Sequence, residues 1–164
     1  MQEPRSGCPI NLAVEALGDP WALIVLRDVM FGERRYFREL QSQSAEGIAS
    51  NVLASRLKAL VEAGLLTKQT VMRGQRARYS LTEAGIRTVP ILVALGNWGL
   101  DFRGERHQVA DSAARARSIL LRTGGDVFVA QVMDELRAVH LRDEPVQTGS
   151  ALARLRNAAK QSSA

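Results

Sequence analysis

Apolar residues recur along most of this chain at helical spacing, and the pattern predicts a protein built mainly from amphipathic helices. Up to residue 102, helices are predicted over 9–17, 21–31, 36–43, 50–63 and 82–102. The segment 21–31 is apolar almost all round, which is typical of a buried central helix. Asp19 and Pro20 stand before it as an N-cap and a first-turn residue, and Gly32 follows it as a stop.

One segment departs from the helical pattern and predicts a β-hairpin. β-branched residues favour a strand over 67–71, a loop containing Gly74 follows, and the chain returns as a second strand over 77–81. Pro90 lies inside the predicted helix 82–102 and is expected to kink it. The predicted fold class is therefore mainly α with a small β-hairpin.

The part of the chain after residue 102 is predicted to be a helical extension. Helices are predicted over 111–122, 126–141 and 150–160, with Gly124 and Gly125 separating the first two. We therefore expect one domain over residues 8–102, followed by an extension over 103–164 whose role the pattern does not name.

Composition and charge restrict the classes of function. A hydrophobic share of 46% is ordinary for a globular protein, whereas a net charge of +5 favours a polyanionic partner. The aromatic share of 5% argues against single-strand binding by base stacking. No apolar run reaches the length of a membrane span, and the N-terminus lacks the apolar core of a signal peptide. We therefore expect a cytoplasmic protein that does not contact a membrane.

Positive charge is concentrated between residues 34 and 78. Nine basic residues there are opposed only by Glu39, Glu46 and Glu62. The basic residues are Arg34, Arg35, Arg38, Arg56, Lys58, Lys68, Arg73, Arg76 and Arg78. The segment is predicted to form a short helix, a turn, a longer helix and a basic hairpin. This is the order of a winged helix-turn-helix, and its charge is typical of a module that binds duplex DNA.

The helix predicted over 50–63 is the candidate recognition helix, because the major groove accommodates one α-helix. With its leucines facing inward, Asn51, Ser55 and Lys58 face outward at about 100° per residue. Asn51 is expected to read adenine and Ser55 to donate or accept a hydrogen bond, whereas Arg56 and Lys58 are expected to hold phosphates. The alternative for Asn51 and Ser55 is that they are solvated surface residues.

The remaining expected DNA contacts flank this helix in sequence. On or near the hairpin loop lie Arg73, Arg76 and Arg78. They are expected to enter the minor groove or contact phosphates, the alternative being a solvated charged turn. Around the preceding short helix lie Arg34, Arg35 and Arg38. These are expected to contact phosphates, unless one of them pairs with a neighbouring glutamate.

Several motifs of this chain resemble the HxlR-type winged-helix regulators, and the resemblance spans about residues 8–102. The matching segments are Cys8-Pro9-Ile10, Leu17-Gly18-Asp19-Pro20-Trp21, 24–28, 32–40, 47–48, 53–60, 63–66 and 78–85. The resemblance implies a winged helix-turn-helix in a dimeric bacterial or archaeal regulator, often a repressor. Two positions depart from the family pattern. Ala49 stands where relatives often have Ser, which leaves Ser50 to cap the helix and contact DNA, and Arg78 stands where relatives are often acidic.

Two apolar helices, one near each end of this domain, are expected to form the interface of a homodimer. The expected interface residues are Leu12, Leu92, Leu95, Trp98 and Phe102. The alternative is that Trp98 and its neighbours pack on the extension of their own chain. A two-fold dimer places two recognition helices about one DNA turn apart, and it therefore predicts an operator with an inverted repeat.

Cys8 precedes Pro9 at the start of the first predicted helix, a position at which a thiol is expected to be reactive. Some HxlR-type relatives sense oxidants with a matching cysteine, so the resemblance implies an oxidant as effector acting at Cys8, the alternative being a small buried apolar residue. The other expected kind of effector is a small molecule bound between the dimer helices, and nothing in the spacing names its chemistry. His107 and His140 form no recognisable metal pattern with it, and we expect no metal, cofactor or enzymatic activity. A winged helix that contacts protein instead of DNA is the alternative function within this fold.

Overall fold

The computed structural model describes residues 5–72, 74–103 and 112–161 of the chain. The chain forms two units, Met1–Thr82 and Glu83–Ala164. The first unit contains α1 (Pro9–Leu17), α2 (Pro20–Phe31), α3 (Phe37–Ser42), α4 (Ser50–Glu62), β1 (Leu66–Lys68) and β2 (Tyr79–Leu81). The second unit contains α5 (Glu83–Ile86), α6 (Val89–Phe102), α7 (Ser112–Leu141) and α8 (Ala151–Gln161).

Helix α2 forms the centre of the first unit, as its apolar sequence predicts. Asp19 Oδ1 accepts a hydrogen bond from Ala22 N at 3.1 Å, so the predicted N-cap is confirmed. Leu26 and Val29 are fully buried, and α2 contacts α1, α3, α4 and β2. Burial of such side chains stabilises the fold by about 1.5–3 kcal/mol each, which makes α2 the element on which the others depend.

The helix-turn-helix is formed by α3, a turn and α4. Gly47 in the turn has a φ of 68°, which glycine adopts without steric cost, and the following Ile48 is 4% exposed. The predicted leucine row of α4 is confirmed, because Leu53, Leu57 and Leu60 are all at most 1% exposed. One side of α4 is therefore fixed in the core, and the other side faces solvent.

The hairpin is shorter than its sequence predicts. The two antiparallel strands pair over three residues each, from Leu66 opposite Leu81 to Lys68 opposite Tyr79. Leu66 and Leu81 are each 1% exposed, so the base of the hairpin is anchored in the core. Beyond the strands, a bond from Gln69 N to the Arg78 carbonyl at 2.9 Å continues the pairing, and no further strand residue is assigned among the described residues of the loop.

The predicted helix over 82–102 is two helices instead of one kinked helix. The chain leaves α5 after Ile86 and re-enters a helix as α6 at Val89. Pro90 lies in the first turn of α6, where its missing N–H has no helical partner to lose. Thr88 Oγ1 donates to the Gly85 carbonyl at 2.7 Å and closes the turn between the helices.

Helices α7 and α8 pack against each other in the second unit. The glycine break predicted in this region is confirmed, since Gly125 interrupts α7 with a φ of 61°. The neighbouring Gly124 leaves no room for a side chain, because a Cβ there would lie 2.5 Å from Phe128 Cβ. Glu135 accepts hydrogen bonds from Ala151 N and Leu152 N, both at 2.8 Å, and so caps the first turn of α8 from a distance.

The predicted fold class, mainly α with a small β-hairpin in a winged helix-turn-helix, is confirmed by this arrangement. The predicted domain boundary near residue 102 remains a prediction. Within the described residues no single helix is long and apolar enough to cross a membrane, although α1 and α2, bent by 76° at their junction, reach that length and composition as a pair.

Candidate nucleic-acid interface

The outer face of α4 carries the polar side chains predicted to lie opposite its leucines. Asn51, Ser55 and Lys58 are all exposed. Lys58 Nζ lies 3.7 Å from Glu62 Oε1, and 77% of the lysine side chain is accessible to solvent. An exposed pair of this kind contributes only about 0.3–0.5 kcal/mol, so the ammonium can exchange it readily for a phosphate.

The first turn of α4 has no side-chain cap. Ala49, with an extended backbone at φ −66° and ψ 144°, occupies the N-cap position, and Ser50 is the first helical residue. The expectation that Ser50 takes over the cap is therefore wrong, because the helix begins one residue too early for its hydroxyl to serve as the N-cap. Ser50 itself is exposed on the first turn, next to backbone N–H groups that favour an anion.

Arg56 is partly engaged within the first unit. Its Nε lies 3.2 Å from Asp19 Oδ1, the carboxylate that caps α2, and 35% of the arginine side chain is exposed. That Nε is shielded from solvent and is not aligned for a hydrogen bond. The contact is thus an ion pair by distance, and Arg56 links the start of α2 to α4.

Arg34 belongs to a cluster of charges around Asp28. Asp28 is 4% exposed, and its carboxylate lies 2.9 Å from Arg34 Nη1 and 2.8 Å from Arg27 Nη2. Arg27 also donates to both oxygens of Glu46 at 2.6 and 2.8 Å, and this hydrogen bonding lowers the pKa of Glu46. The sequence pattern did not single out Asp28, although an aspartate in a helix that is predicted to be buried signals a charged or polar partner.

Arg35 is a buried brace between α3 and the hairpin. It is 7% exposed; its Nε donates to the Tyr79 carbonyl at 3.2 Å and its Nη2 donates to Ser80 Oγ. In return, Tyr79 N donates to the Arg35 carbonyl at 2.8 Å. Glu39 Oε2 accepts from Arg35 N at 3.0 Å, which fixes the backbone at the start of α3. The expected role as a phosphate anchor does not suit a guanidinium with these partners.

Arg38 and Arg76 are exposed, whereas Arg78 is half-buried. Arg78 forms an isolated antiparallel bridge with Tyr36, which extends the pairing of β2 towards α3. Gly74 at the loop has a φ of 92°, and Gln75 N donates to the Met72 carbonyl at 3.0 Å. Arg73, which the sequence also assigns to the wing, lies outside the described residues.

An open cleft lies between the start of α3 and the hairpin, with a volume of about 380 Å³. Its walls include Tyr36, Phe37, Arg38, Lys68, Arg76 and Tyr79. Lys68 counts towards the basic segment but was given no role from the sequence. Lys68 lies in β1 directly opposite Tyr79, and paired strand residues share one face of a hairpin. This pairing is the signal that could have placed Lys68 in the wall of the cleft.

The expected interface residues form apolar surfaces that are exposed in the single chain. Helix α1 buries none of its residues, and Leu12 is 44% exposed. On α6, Leu95 is 46% exposed, Trp98 is 55% exposed and Phe102 is 66% exposed, while Leu92 is half-buried. The rings of Trp98 and Phe102 lie 5.7 Å apart between centroids.

Cys8 is an exposed free cysteine at the N-cap position of α1. Within the described residues no three His, Cys, Asp or Glu side chains come together as a metal site. His140 is half-buried in α7, and His107 lies outside the described residues.

The chain is similar to known proteins over a region that contains the helix-turn-helix and the hairpin. A family model described as HxlR-like helix-turn-helix matches residues 16–107, which is more than half of the chain. The chain is 32% identical over 138 residues to an uncharacterized HTH-type transcriptional regulator of Mycobacterium tuberculosis (strain H37Rv). That match covers 79% of this chain and 85% of the relative.

Solved structures show the same fold. The candidate transcription factor PA1607 is 33% identical, with a TM-score of 0.56 over 63% of this chain and 70% of that chain. The redox regulator HypR in its reduced form is 22% identical, with a TM-score of 0.53 over 62% of this chain and 99% of that chain. At that identity the likeness to HypR shows the fold alone.

Proposed function

The chain belongs to the HxlR-like helix-turn-helix family of transcriptional regulators, and from this premise we propose that it binds specific duplex DNA as a homodimer and acts as a repressor. The operator of such a dimer is an inverted repeat, because two-fold symmetry presents the same surface to each half-site. Repression then results from occupancy of a promoter. The proposed location is the cytoplasm, and no cofactor or enzymatic activity is invoked.

The observation that carries this proposal is the two-sidedness of α4. Its leucines are fixed in the core, so the helix presents a rigid outer face on which Asn51, Ser55 and Lys58 are exposed. Asparagine forms a bidentate pair with adenine in the major groove, and serine is permissive for either bonding role. The exposed lysine adds a phosphate contact without sequence preference.

The structure supports a division of the expected DNA contacts into two groups. We propose that Arg38, Lys58 and Arg76 contact phosphates directly, together with Ser50 on the first turn of α4. Arg73 and Arg78 remain proposed wing contacts. We propose positioning roles for Arg34, Arg35 and Arg56, since their charged groups already lie against Asp28, the second wing strand and Asp19.

The decisive experiment compares specific and random DNA. A duplex recovered by selection in vitro is titrated with the protein, and with Asn51→Ala, in a fluorescence anisotropy assay. Asn51→Ala is expected to lose about 1–3 kcal/mol on the selected duplex and little on random DNA, because one base contact is removed. Equal losses on both duplexes contradict the role of Asn51. Absence of any preference in the unaltered protein favours the alternative of a protein-contacting winged helix.

The proposal of a homodimer rests on the exposed apolar side chains of α1 and α6. A patch with Trp98 and Phe102 more than half exposed is unusual on a monomer and typical of an interface. Sedimentation at micromolar concentration is expected to show a dimer, and Trp98→Glu is expected to shift it to a monomer. A monomer in the unaltered protein contradicts this part of the proposal.

An oxidant-sensitive switch at Cys8 is proposed as the form of regulation. Its support is the exposed thiol at the start of α1, a helix proposed to lie in the dimer interface. Peroxide treatment is expected to weaken binding to the selected duplex in the unaltered protein and to leave Cys8→Ser unchanged. Binding that resists peroxide in both proteins removes the switch while leaving the DNA-binding proposal intact, and a small-molecule effector then remains to be sought.

A further inference from the structure

We propose that the cleft between α3 and the hairpin is a binding site, or seat, for one phosphodiester group of the DNA backbone. Three cations surround it, namely Arg38, Arg76 and Lys68, and Lys68 is the one to which the sequence assigned no role. The inference rests on the proposed function, because it assigns a part of the duplex to a defined part of the protein. It adds Lys68 and the aromatic walls of the cleft to the DNA-contacting surface.

The first argument is the convergence of charge. Arg38 comes from α3, Lys68 from β1 and Arg76 from the hairpin loop, yet all three line the same opening. Within the described residues none of the three has a carboxylate partner, and no acidic side chain lines the cleft. By contrast, Lys58 lies near Glu62. A cluster of unneutralised cations in one concave site favours an anion.

The second argument is the chemistry of the walls. Tyr36, Phe37 and Tyr79 provide aromatic surface next to the cations, and Lys68 Nζ lies 6.0 Å from the centroid of the Tyr79 ring. A DNA backbone presents anionic oxygens flanked by the carbon atoms of deoxyribose, which match the cations and the aromatic walls. The cleft is open to solvent, as passage of a continuous backbone requires, whereas sites for small ligands usually bury most of their occupant.

The third argument is that the walls are held in place before DNA arrives. Arg35 joins the start of α3 to β2 through its bond to the Tyr79 carbonyl, and Tyr36 pairs with Arg78 across the same gap. Glu39 accepts from Tyr36 N at 3.1 Å and fixes the backbone of that wall. A preformed seat needs little ordering on binding, which favours affinity.

The test neutralises one phosphate at a time. Duplexes from the in vitro selection are prepared with single methylphosphonate substitutions and titrated with the unaltered protein and with Lys68→Ala. Neutralising one phosphate in each half-site is expected to weaken binding in the unaltered protein and to weaken it less in Lys68→Ala, where only Arg38 and Arg76 still face that phosphate. Lys68→Ala should also lower the slope of log K against log salt, by at most the value of about 0.9 per protomer that one phosphate contributes, whereas Lys68→Arg retains the slope.

Lys58→Ala is the matched control, because it removes an exposed lysine from α4 instead of the cleft. It is expected to lose sensitivity at a different phosphate. Lys68 is exposed, so thermal unfolding of Lys68→Ala should match that of the unaltered protein. If the unaltered protein selects a duplex but Lys68→Ala keeps both its methylphosphonate pattern and its salt slope, the cleft assignment is overturned while the proposed function stands.

A free phosphate ion has the same chemistry as a backbone phosphate and is the alternative occupant of the cleft. Titration of the DNA-free protein with millimolar inorganic phosphate, followed by NMR of the hairpin backbone, tests it. No saturable shift is expected, because the seat needs the flanking deoxyribose groups as well as the charge. Saturable binding of phosphate that is lost in Lys68→Ala and displaces the duplex would assign the cleft to a free anion instead. If the unaltered protein selects no duplex at all, this inference and the proposed function fall together.

Discussion

The cationic side chains of the basic segment 34–78 divide into two groups that differ in exposure and in their partners. Arg38, Lys68 and Arg76 are exposed and lack a carboxylate partner within the described residues. Arg34 and Arg35 are held by Asp28 and by the second wing strand. The difference teaches that a run of arginines is not one functional unit, since neighbours in sequence divide into groups that hold the fold and groups that remain available to a polyanion.

The largest expected effect comes from removing the brace. Arg35→Met is expected to lower the free energy of unfolding by about 1.5–3 kcal/mol, because it leaves the Tyr79 carbonyl without its charged donor. Urea unfolding followed by circular dichroism measures the change. Arg38→Met is the matched control from the exposed group, and it should stay within about 0.5 kcal/mol of the unaltered protein. Equal losses in both variants would erase the distinction between the groups.

A smaller effect is expected at the buried carboxylate. Asp28→Asn is expected to cost about 1–2 kcal/mol, because Arg27 and Arg34 lose the charge that pairs with them. A double-mutant cycle with Arg34→Met, read by urea unfolding, should show coupling between the two residues. If the two losses simply add, Arg34 is not held by Asp28 and returns to the group of available cations.

The exposed group should show the opposite behaviour, with binding changed and stability retained. Arg76→Ala is expected to leave the free energy of unfolding within about 0.5 kcal/mol. It should weaken binding to specific and random duplexes alike and lower the salt slope by at most about 0.9 per protomer, the value for one phosphate. Anisotropy titrations at several salt concentrations provide the measurement. A selective loss on the specific duplex would instead make Arg76 a reader of sequence.

The smallest expected effect is a pH dependence in the second unit, where Arg137 is another engaged cation. Hydrogen bonding from Arg137 and then Arg87 lowers the pKa of Glu83 from 4.5 to about 2. Because the pKa of Glu83 is lower in the folded than in the unfolded chain, its ionised carboxylate stabilises the fold fully above pH 4.5. This stabilisation is lost as the pH falls from 4.5 through about 2. Glu83→Gln should therefore reduce stability at neutral pH, and its difference from the unaltered protein should shrink on acidification. Thermal unfolding of both proteins measured between neutral pH and acid provides the test. If the difference in stability between Glu83→Gln and the unaltered protein stayed constant over that range, the stabilising role of the Glu83 carboxylate would be contradicted.

Much of the fold was predictable because periodicity and stop signals are local. The buried central helix and the leucine row of α4 follow from apolar spacing, and the break at Gly125 follows from a glycine pair. The bend at Pro90 was placed correctly but interpreted wrongly. A proline is compatible with either a kinked helix or a helix start, and the choice depends on whether the preceding residues continue the hydrogen-bond ladder.

The candidate site was predictable in outline and not in its details. An outward face on α4 follows from its inward leucines, so the exposure of Asn51, Ser55 and Lys58 was predictable from spacing alone, whereas their roles as DNA contacts remain predictions. Ser50 was misassigned as a cap, because the sequence does not show at which residue the backbone turns helical. Two further residues were placed only by the structure: Arg35, expected to contact phosphates, donates to the Tyr79 carbonyl, and Lys68, which was given no role, lines the cleft between α3 and the hairpin.

By itself the sequence determined that the chain is mainly helical, where its helix-turn-helix and hairpin lie, and that its charge suits a polyanion. Those properties depend on spacing and composition, which are read along one chain. Only the tertiary structure decided which cations form hydrogen bonds and ion pairs within the fold and which line an open cleft. A guanidinium has the same charge in either place, and what separates the two cases is the carbonyl or carboxylate that folding brings to it from a distant segment.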